Sequence, residues 1–338
     1  VSRGLGDVYK RQDEYNGAGI SYKEIPLVIF WKDNDAEALY QRIKLLRNEH
    51  RYNPSNEVIE DICVNEILGG FKRFKLKSIV AEYPDEFVRK MRMTGLISFR
   101  GGGRFIDINH NEDEKIDYIL SHYADYTKYA TEREYFDYMA TIDNALFALR
   151  SVEISKTAAA EKLIQLIPDY PWDSIKTELS HLANKTSSSH NVLKFISAPA
   201  RLEFLTALAI KSKLPGVEVI PNYPCDDEGL PTSTAGGNNG DIECFETTNS
   251  ILVEVTMAEG RQQTMMEVWP ISRHLEEFKN KYEYEDSQCV FVAPSIFADT
   301  KDQIDWAKDR KQVVIRPYKI VDFISYLDSA TALYCANL

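Results

Sequence analysis

From about residue 200 onward the chain switches repeatedly between helical and strand-like hydrophobic spacing, and no other feature constrains the fold as much. Residues 201–211 (RLEFLTALAIK) read as an apolar helix. Residues 241–245 (DIECF) and 251–256 (ILVEVT) read as strands joined through a turn at 247–250. A helix is predicted from 261 to about 282, then a strand over 289–293, a helix over 299–311, a strand over 313–315 and a helix over 320–327. Helix, strand, strand, helix, strand, helix, strand, helix suits an α/β core in which helices flank a mixed sheet.

Two acids sit badly in that pattern. Glu254 lies inside ILVEV, a run that should be buried, where a charge is costly unless paired or metal-bound. Asp241 opens the neighbouring strand, after a loop over 221–240 rich in Pro, Gly, Asn and Asp. A separation of 13 residues is a hairpin's worth of chain, so pairing of the two strands would bring both carboxylates to one end of the sheet. Two oxygen ligands there suit Mg²⁺, with water and a substrate phosphate completing its shell. An edge-strand acid facing solvent is the bland alternative for Glu254.

The N-terminal part is different. Residues 24–31 (EIPLVIFW) are a strand or a buried helix, 36–50 a helix, and 53–56 (NPSN) a turn and cap opening a helix that stops at Gly69-Gly70. Residues 84–94 are predicted helical. Residues 96–99 and 105–108 alternate around Gly101-Gly102-Gly103, a hairpin signal. The outline is that of a winged-helix DNA-binding module over 55–110, with Arg89, Lys90 and Arg92 on its recognition helix and Arg100 and Arg104 on its wing. A solvated basic face is the alternative. The net charge of −12 argues against nucleic acid only as an average: residues 71–104 hold nine basic and three acidic side chains, a net of +6, which leaves −18 for the rest. Residues 112–143 are acidic and tyrosine-rich, which leaves a helical protein–protein scaffold as a competing reading. No run of 18 apolar residues exists, so no membrane-spanning helix is expected. Five scattered cysteines without zinc-ligand spacing, and no secretory signal, point to a reducing cytoplasm.

Arg201-Leu202-Glu203, the loop Gly236-Gly237-Asn238-Asn239-Gly240-Asp241 and Val253-Glu254-Val255-Thr256 together resemble the AlwI family of type II restriction endonucleases, a pattern shared by related nicking endonucleases. The resemblance spans roughly residues 55 to 338 and is strongest from 200 to 280. It implies a restriction-endonuclease-like catalytic core of the PD-(D/E)xK fold. It also implies Asp241, Glu254 and Glu203 as metal-binding acids, and Glu267 and His274 as further site residues. Mg²⁺ is the implied cofactor, with Mn²⁺ as a substitute, and in-line hydrolysis leaves 5′-phosphate and 3′-hydroxyl ends. The usual lysine two residues after the second acid is Thr256 here, so Glu267, His274 or Gln263 is expected in its place. Lys211, Arg261 and Arg273 are candidate phosphate contacts, with surface salt links as the alternative.

The implied partner is double-stranded DNA, read at a short asymmetric site and cut to one side of it. Cutting both strands calls for either a second copy of the chain or a second nuclease subunit. A strand-specific nicking enzyme and a catalytically inactive DNA-binding protein are the competing readings. Asp7-Val8-Tyr9-Lys10-Arg11-Gln12 resembles one reading frame of a transposon end used in preparing sequencing libraries, so residues 1–12 are expected to be an assembly scar. On that expectation the natural chain is longer at its N-terminus, 13–110 is a partial recognition region, and 111–338 is the catalytic domain.

Overall fold

The computed structural model describes residues 19–336 apart from 34, 72, 124–127, 150–153, 238, 283 and 285. The expected scar lies outside the described residues. Two compact units are present, one within Val1–Glu153 and the other within Ile154–Leu338.

In the first unit, β1 (Ile20–Ser21) is followed by α1 (Ile25–Phe30), α2 (Ala36–His50) and α3 (Asn56–Asp61), which runs into a π-helical turn over Ile62–Ile67. The apolar run at 24–31 is thus a helix. Pro26 occupies its first turn, where a missing N–H costs nothing, and Ile25, Leu27 and Val28 are buried. Asp35 caps α2 and Ser55 caps α3, each accepting a backbone N–H of the first turn. The buried Glu24 receives a two-pronged bond from Arg47 (2.7 and 2.8 Å) and also accepts the Ser21 N–H. Next come α4 (Tyr83–Met93) and the hairpin of β2 (Ile97–Arg100) with β3 (Phe105–Ile108). All three tip glycines have positive φ (58°, 65° and 85°), which explains why glycine occupies them. β3 lies between β1 and β2 in an antiparallel sheet. Helices α5 (Asp113–His122), α6 (Glu132–Met139) and α7 (Asn144–Ala148) follow.

The second unit starts with α8 (Lys156–Leu166), α9 (Trp172–Ala183) and α10 (Ala198–Lys213). A five-stranded mixed sheet follows in the order β4 (Glu218–Pro221), β5 (Ile242–Phe245), β6 (Asn249–Val255), β7 (Asp286–Ala293), β8 (Ile315–Lys319). Strand β5 is antiparallel to both of its neighbours, β4 and β6, whereas β6, β7 and β8 are parallel. The crossovers between parallel strands are helical. Helices α11 (Gly260–Met266) and α12 (Val268–Lys281) join β6 to β7, and α13 (Ala298–Lys311) joins β7 to β8; α14 (Ile320–Ser329) follows. Strand β4 is an addition to the sequence reading, which assigned no element to residues 218–220 and began its loop at 221.

Helix α10 is buried continuously from Ala200 to Ile210, as a helix enclosed by α9, α14, β4 and β6 must be. On the other face, Leu275 and Phe278 of α12 join Phe245, Leu252 and Phe291 of the sheet in one apolar cluster. This packing makes the end of the sheet rigid at β5 and β6. Among the described residues, no helix is long and apolar enough to cross a membrane.

Candidate active site

Strand register decides where the two anomalous acids meet. Ile242 pairs with Val253 and Glu243 with Leu252, so the next position outward sets Asp241 opposite Glu254. Asp241 Oδ2 accepts the Val255 N–H at 2.8 Å, and the Asn222 N–H binds the Asp241 carbonyl at 2.9 Å, which anchors this corner to both neighbouring strands. Gly240 precedes it because nothing larger fits: a Cβ there would lie 2.4 Å from Leu252 Cδ1 and 2.9 Å from Glu254 Oε1.

Around the pair is a cleft of about 520 Å³, whose lining includes Glu203, Asp241, Glu254, Thr256, Glu267 and His274. The four acids and the histidine expected at the site are therefore brought together from α10, the ends of β5 and β6, and α12 with the turn before it. Glu203 and Glu254 are 4% and 7% exposed, and among the described residues no lysine or arginine lines the cleft. Their electrostatics follow. Burial pushes the Asp241 carboxyl well up, and the charges of Glu254 and Glu203 add to it. Burial raises Glu203 to about 7 against the opposing Ala235 N–H, and the Glu254 charge reinforces the shift. Glu254 is raised by burial, with His274 pulling the other way.

His274 Nδ1 lies 2.9 Å from Glu254 Oε1, and Nε2 donates to the Gly237 carbonyl at 3.3 Å. An imidazole with an acceptor at each nitrogen favours the protonated form, and the hydrogen bond to Glu254 accordingly raises its pKa. Glu267 Oε1 accepts from Thr256 Oγ1 at 2.8 Å; burial raises the Glu267 carboxyl. The chain breaks at Glu267 between α11 and α12, with Pro270 in the first turn of α12, so Glu267 and His274 do not share one continuous helix.

Several expected roles fail on geometry. Gln263 does not replace the lysine: its amide donates to the Ala258 and Ser295 carbonyls and accepts the Phe297 N–H, tying two loops together away from the cleft. Lys211 does not await a phosphate, because its ammonium donates to the Pro215 and Val217 carbonyls of the loop that follows its helix. Arg92 is 2% exposed and donates to the Ile97 carbonyl, so the guanidinium expected at DNA instead joins α4 to the hairpin. Arg100 donates to the Ile108 carbonyl and faces Asp107 at 3.6 Å, which commits it to the hairpin as well. Arg89, Lys90 and Arg104 are exposed as expected; Lys90 pairs with Glu86, and the Arg104 guanidinium lies over Phe105. Arg261 and Arg273 are also exposed. Gln262, Asn239 and Met266 line the cleft unannounced. Only the phase of the short helix α11 separates Gln262 in the cleft from Gln263 in the core, and a seven-residue helix shows too few turns for that phase to be read.

Comparison with known proteins places the chain among the type II restriction endonucleases, enzymes that hydrolyse DNA. It belongs to the AlwI restriction endonuclease family, whose model matches residues 4–166 and 152–325. No curated protein matches the chain. Among solved structures it is similar to the small subunit (R.BspD6I2) of the heterodimeric restriction endonuclease R.BspD6I, at 23% identity over 49% of this chain and 83% of that one, with a TM-score of 0.39. It is also similar to restriction endonuclease FokI bound to DNA, at 13% identity over 88% of this chain and 46% of that one, with a TM-score of 0.32.

Proposed function

We propose that this cleft is the catalytic centre and that it hydrolyses double-stranded DNA with Mg²⁺, or Mn²⁺ as a substitute, to one side of a short asymmetric site. The observation that carries this reading is the Asp241–Glu254 pair, opposed across β5 and β6 in a cleft lined by no lysine or arginine among the described residues. The donor set fits a hard divalent cation: carboxylate oxygens, raised by burial and mutual repulsion, gain most from a positive charge between them. When bound, such a cation supplies Lewis-acid stabilisation of phosphate charge and activates water.

The chain's own residues do the rest. Asp241 and Glu254 would hold the cation; His274 orients Glu254 and keeps a positive charge beside it; Glu267, hydrogen-bonded by Thr256 at the sequence position where lysine is usual, would accept a proton from the incoming water. Residues 13–110, winged-helix-like over 55–110, form the recognition region, with Arg89, Lys90 and Arg104 at the phosphates. The nuclease part is 111–338, its acid-bearing sheet inside Ile154–Leu338. All five cysteines are free thiols, which supports a reducing cytoplasm as its location. The second strand is cut by a second copy or a second nuclease subunit. The alternative, a strand-specific nicking enzyme, rests on the single acid pair at this cleft.

Plasmid cleavage with and without chelator tests the assignment. Asp241→Ala and Glu254→Ala are expected each to lose at least about 100-fold in rate. Cutting at the parental rate by either variant overturns it.

A further inference from the structure

Glu203 and His274 make contacts that the acid pair itself does not require. Glu203 stands on α10, and its Oε2 accepts the Ala235 N–H at 2.9 Å. His274 stands on α12, across the sheet, and its Nε2 donates to the Gly237 carbonyl. The segment so gripped lines the cleft at Ala235, Gly236 and Gly237. A Cβ at Gly236 or Gly237 would meet nothing within 4 Å, and neither residue has a left-handed φ, so their backbone does not itself demand glycine. A stretch without side chains has nothing to pack, is entropically costly to order, and is located only by bonds to its backbone. Within the turn the Gly236 carbonyl accepts the Asn239 N–H at 3.1 Å; the bonds that tie the segment to the rest of the unit include those of Glu203 and His274.

We propose that Glu203 and His274 are positioning residues that clasp Ala235 and Gly237 from the two faces of the sheet, making this segment the wall against which the scissile phosphate is seated, and that Glu203 acts through Ala235 rather than as a metal ligand. The inference rests on Asp241 and Glu254 being the catalytic acids. It also explains open glycines beside the acids: they leave room for a DNA backbone while two side chains hold the main chain still.

Glu203→Gln keeps an oxygen acceptor and removes the charge, whereas Glu203→Ala removes both. Three quantities are read on each: amide exchange of the peptide carrying Ala235 and Gly237 in metal-free protein, Mn²⁺ affinity by calorimetry, and plasmid cleavage. Glu203→Gln is expected to keep parental exchange and Mn²⁺ affinity and to cut within about fivefold of the parent, whereas Glu203→Ala speeds exchange of that peptide about tenfold, as loss of one hydrogen bond implies. In Glu203→Ala, cleavage falls mainly through KM. His274→Ala speeds exchange of the same peptide. The proposal is overturned if Glu203→Gln loses Mn²⁺ affinity or cleavage by about 100-fold while its exchange stays parental, or if Glu203→Ala leaves exchange unchanged. If Glu203→Ala does not fold, the Glu203→Gln comparison decides by itself. Exchange in metal-free protein does not depend on cleavage, so parental cutting by Asp241→Ala would sink the active-site assignment and leave the clasp to be judged separately.

Discussion

At the scale of single residues, hydrogen-bond bookkeeping separates groups that stabilise from groups that act. His190 is a stabilising case. Its Nδ1 accepts the N–H groups of Val192 (3.2 Å) and Leu193 (3.3 Å), so the folded state needs this nitrogen unprotonated. Burial, against the nearby Glu178 charge, holds its pKa below the ordinary histidine value. The unfolded chain therefore takes up a proton first as pH falls through about 6.5, and stability is lost from there down to the folded value. His190→Asn keeps an acceptor and does not titrate. Calorimetric melting between about pH 7.5 and 5.5 is expected to show a shallower loss of Tm in the variant than in the parent. Equal slopes would remove His190 as the cause.

At the scale of elements, two predictions follow from strand contact and helix phase. Gly240, just before β5, lies hard against Leu252 and Glu254 of β6, so Gly240→Ala must push on one or the other. A cost of about 1–3 kcal/mol in chemical denaturation is expected, with a larger loss of cleavage than of stability, because the displaced atom is a carboxylate oxygen of the catalytic pair. Parental cleavage by a destabilised variant would show that Glu254 does not move. Helix α4 carries the second. Arg92 points into the unit, whereas Arg89 and Lys90 face out. Arg89→Ala, Lys90→Ala and Arg104→Ala should each weaken DNA binding and lower the salt dependence by about one counterion. Arg92→Ala should lower the melting temperature and leave the salt slope alone. The charges on α4 were legible in the sequence. Their division between interior and surface was not, because Arg92 is buried by Phe99 and the Ile97 carbonyl of a later strand.

At the scale of the whole molecule, one acid pair has to serve a substrate with two strands. If a second copy supplies the second cut, open-circle plasmid appears first, and the rate of conversion to linear product rises faster than in proportion to enzyme concentration. A nicking enzyme stops at the open circle at every concentration. Time courses on supercoiled plasmid over about a hundredfold range of protein separate the two, because association follows mass action. The −12 net charge bears on neither outcome; what matters is that the basic stretch at 71–104 and the acid cleft lie in different compact units.

By itself the sequence determined features that depend on neighbours along the chain. Hydrophobic period marked the helices and every strand but β4 from residue 200 on, glycines marked the hairpin tip, and a spacing of 13 residues allowed Asp241 and Glu254 to meet across a hairpin. Tertiary structure alone decided what each polar group spends its hydrogen bonds on. Glu203 reaches Ala235 across 32 residues, His274 reaches Glu254 across 20 and Gly237 across 37, and Gln263 reaches Ser295 across 32. Whether such a group is free for chemistry depends on which distant backbone is folded against it, and local periodicity carries no record of that.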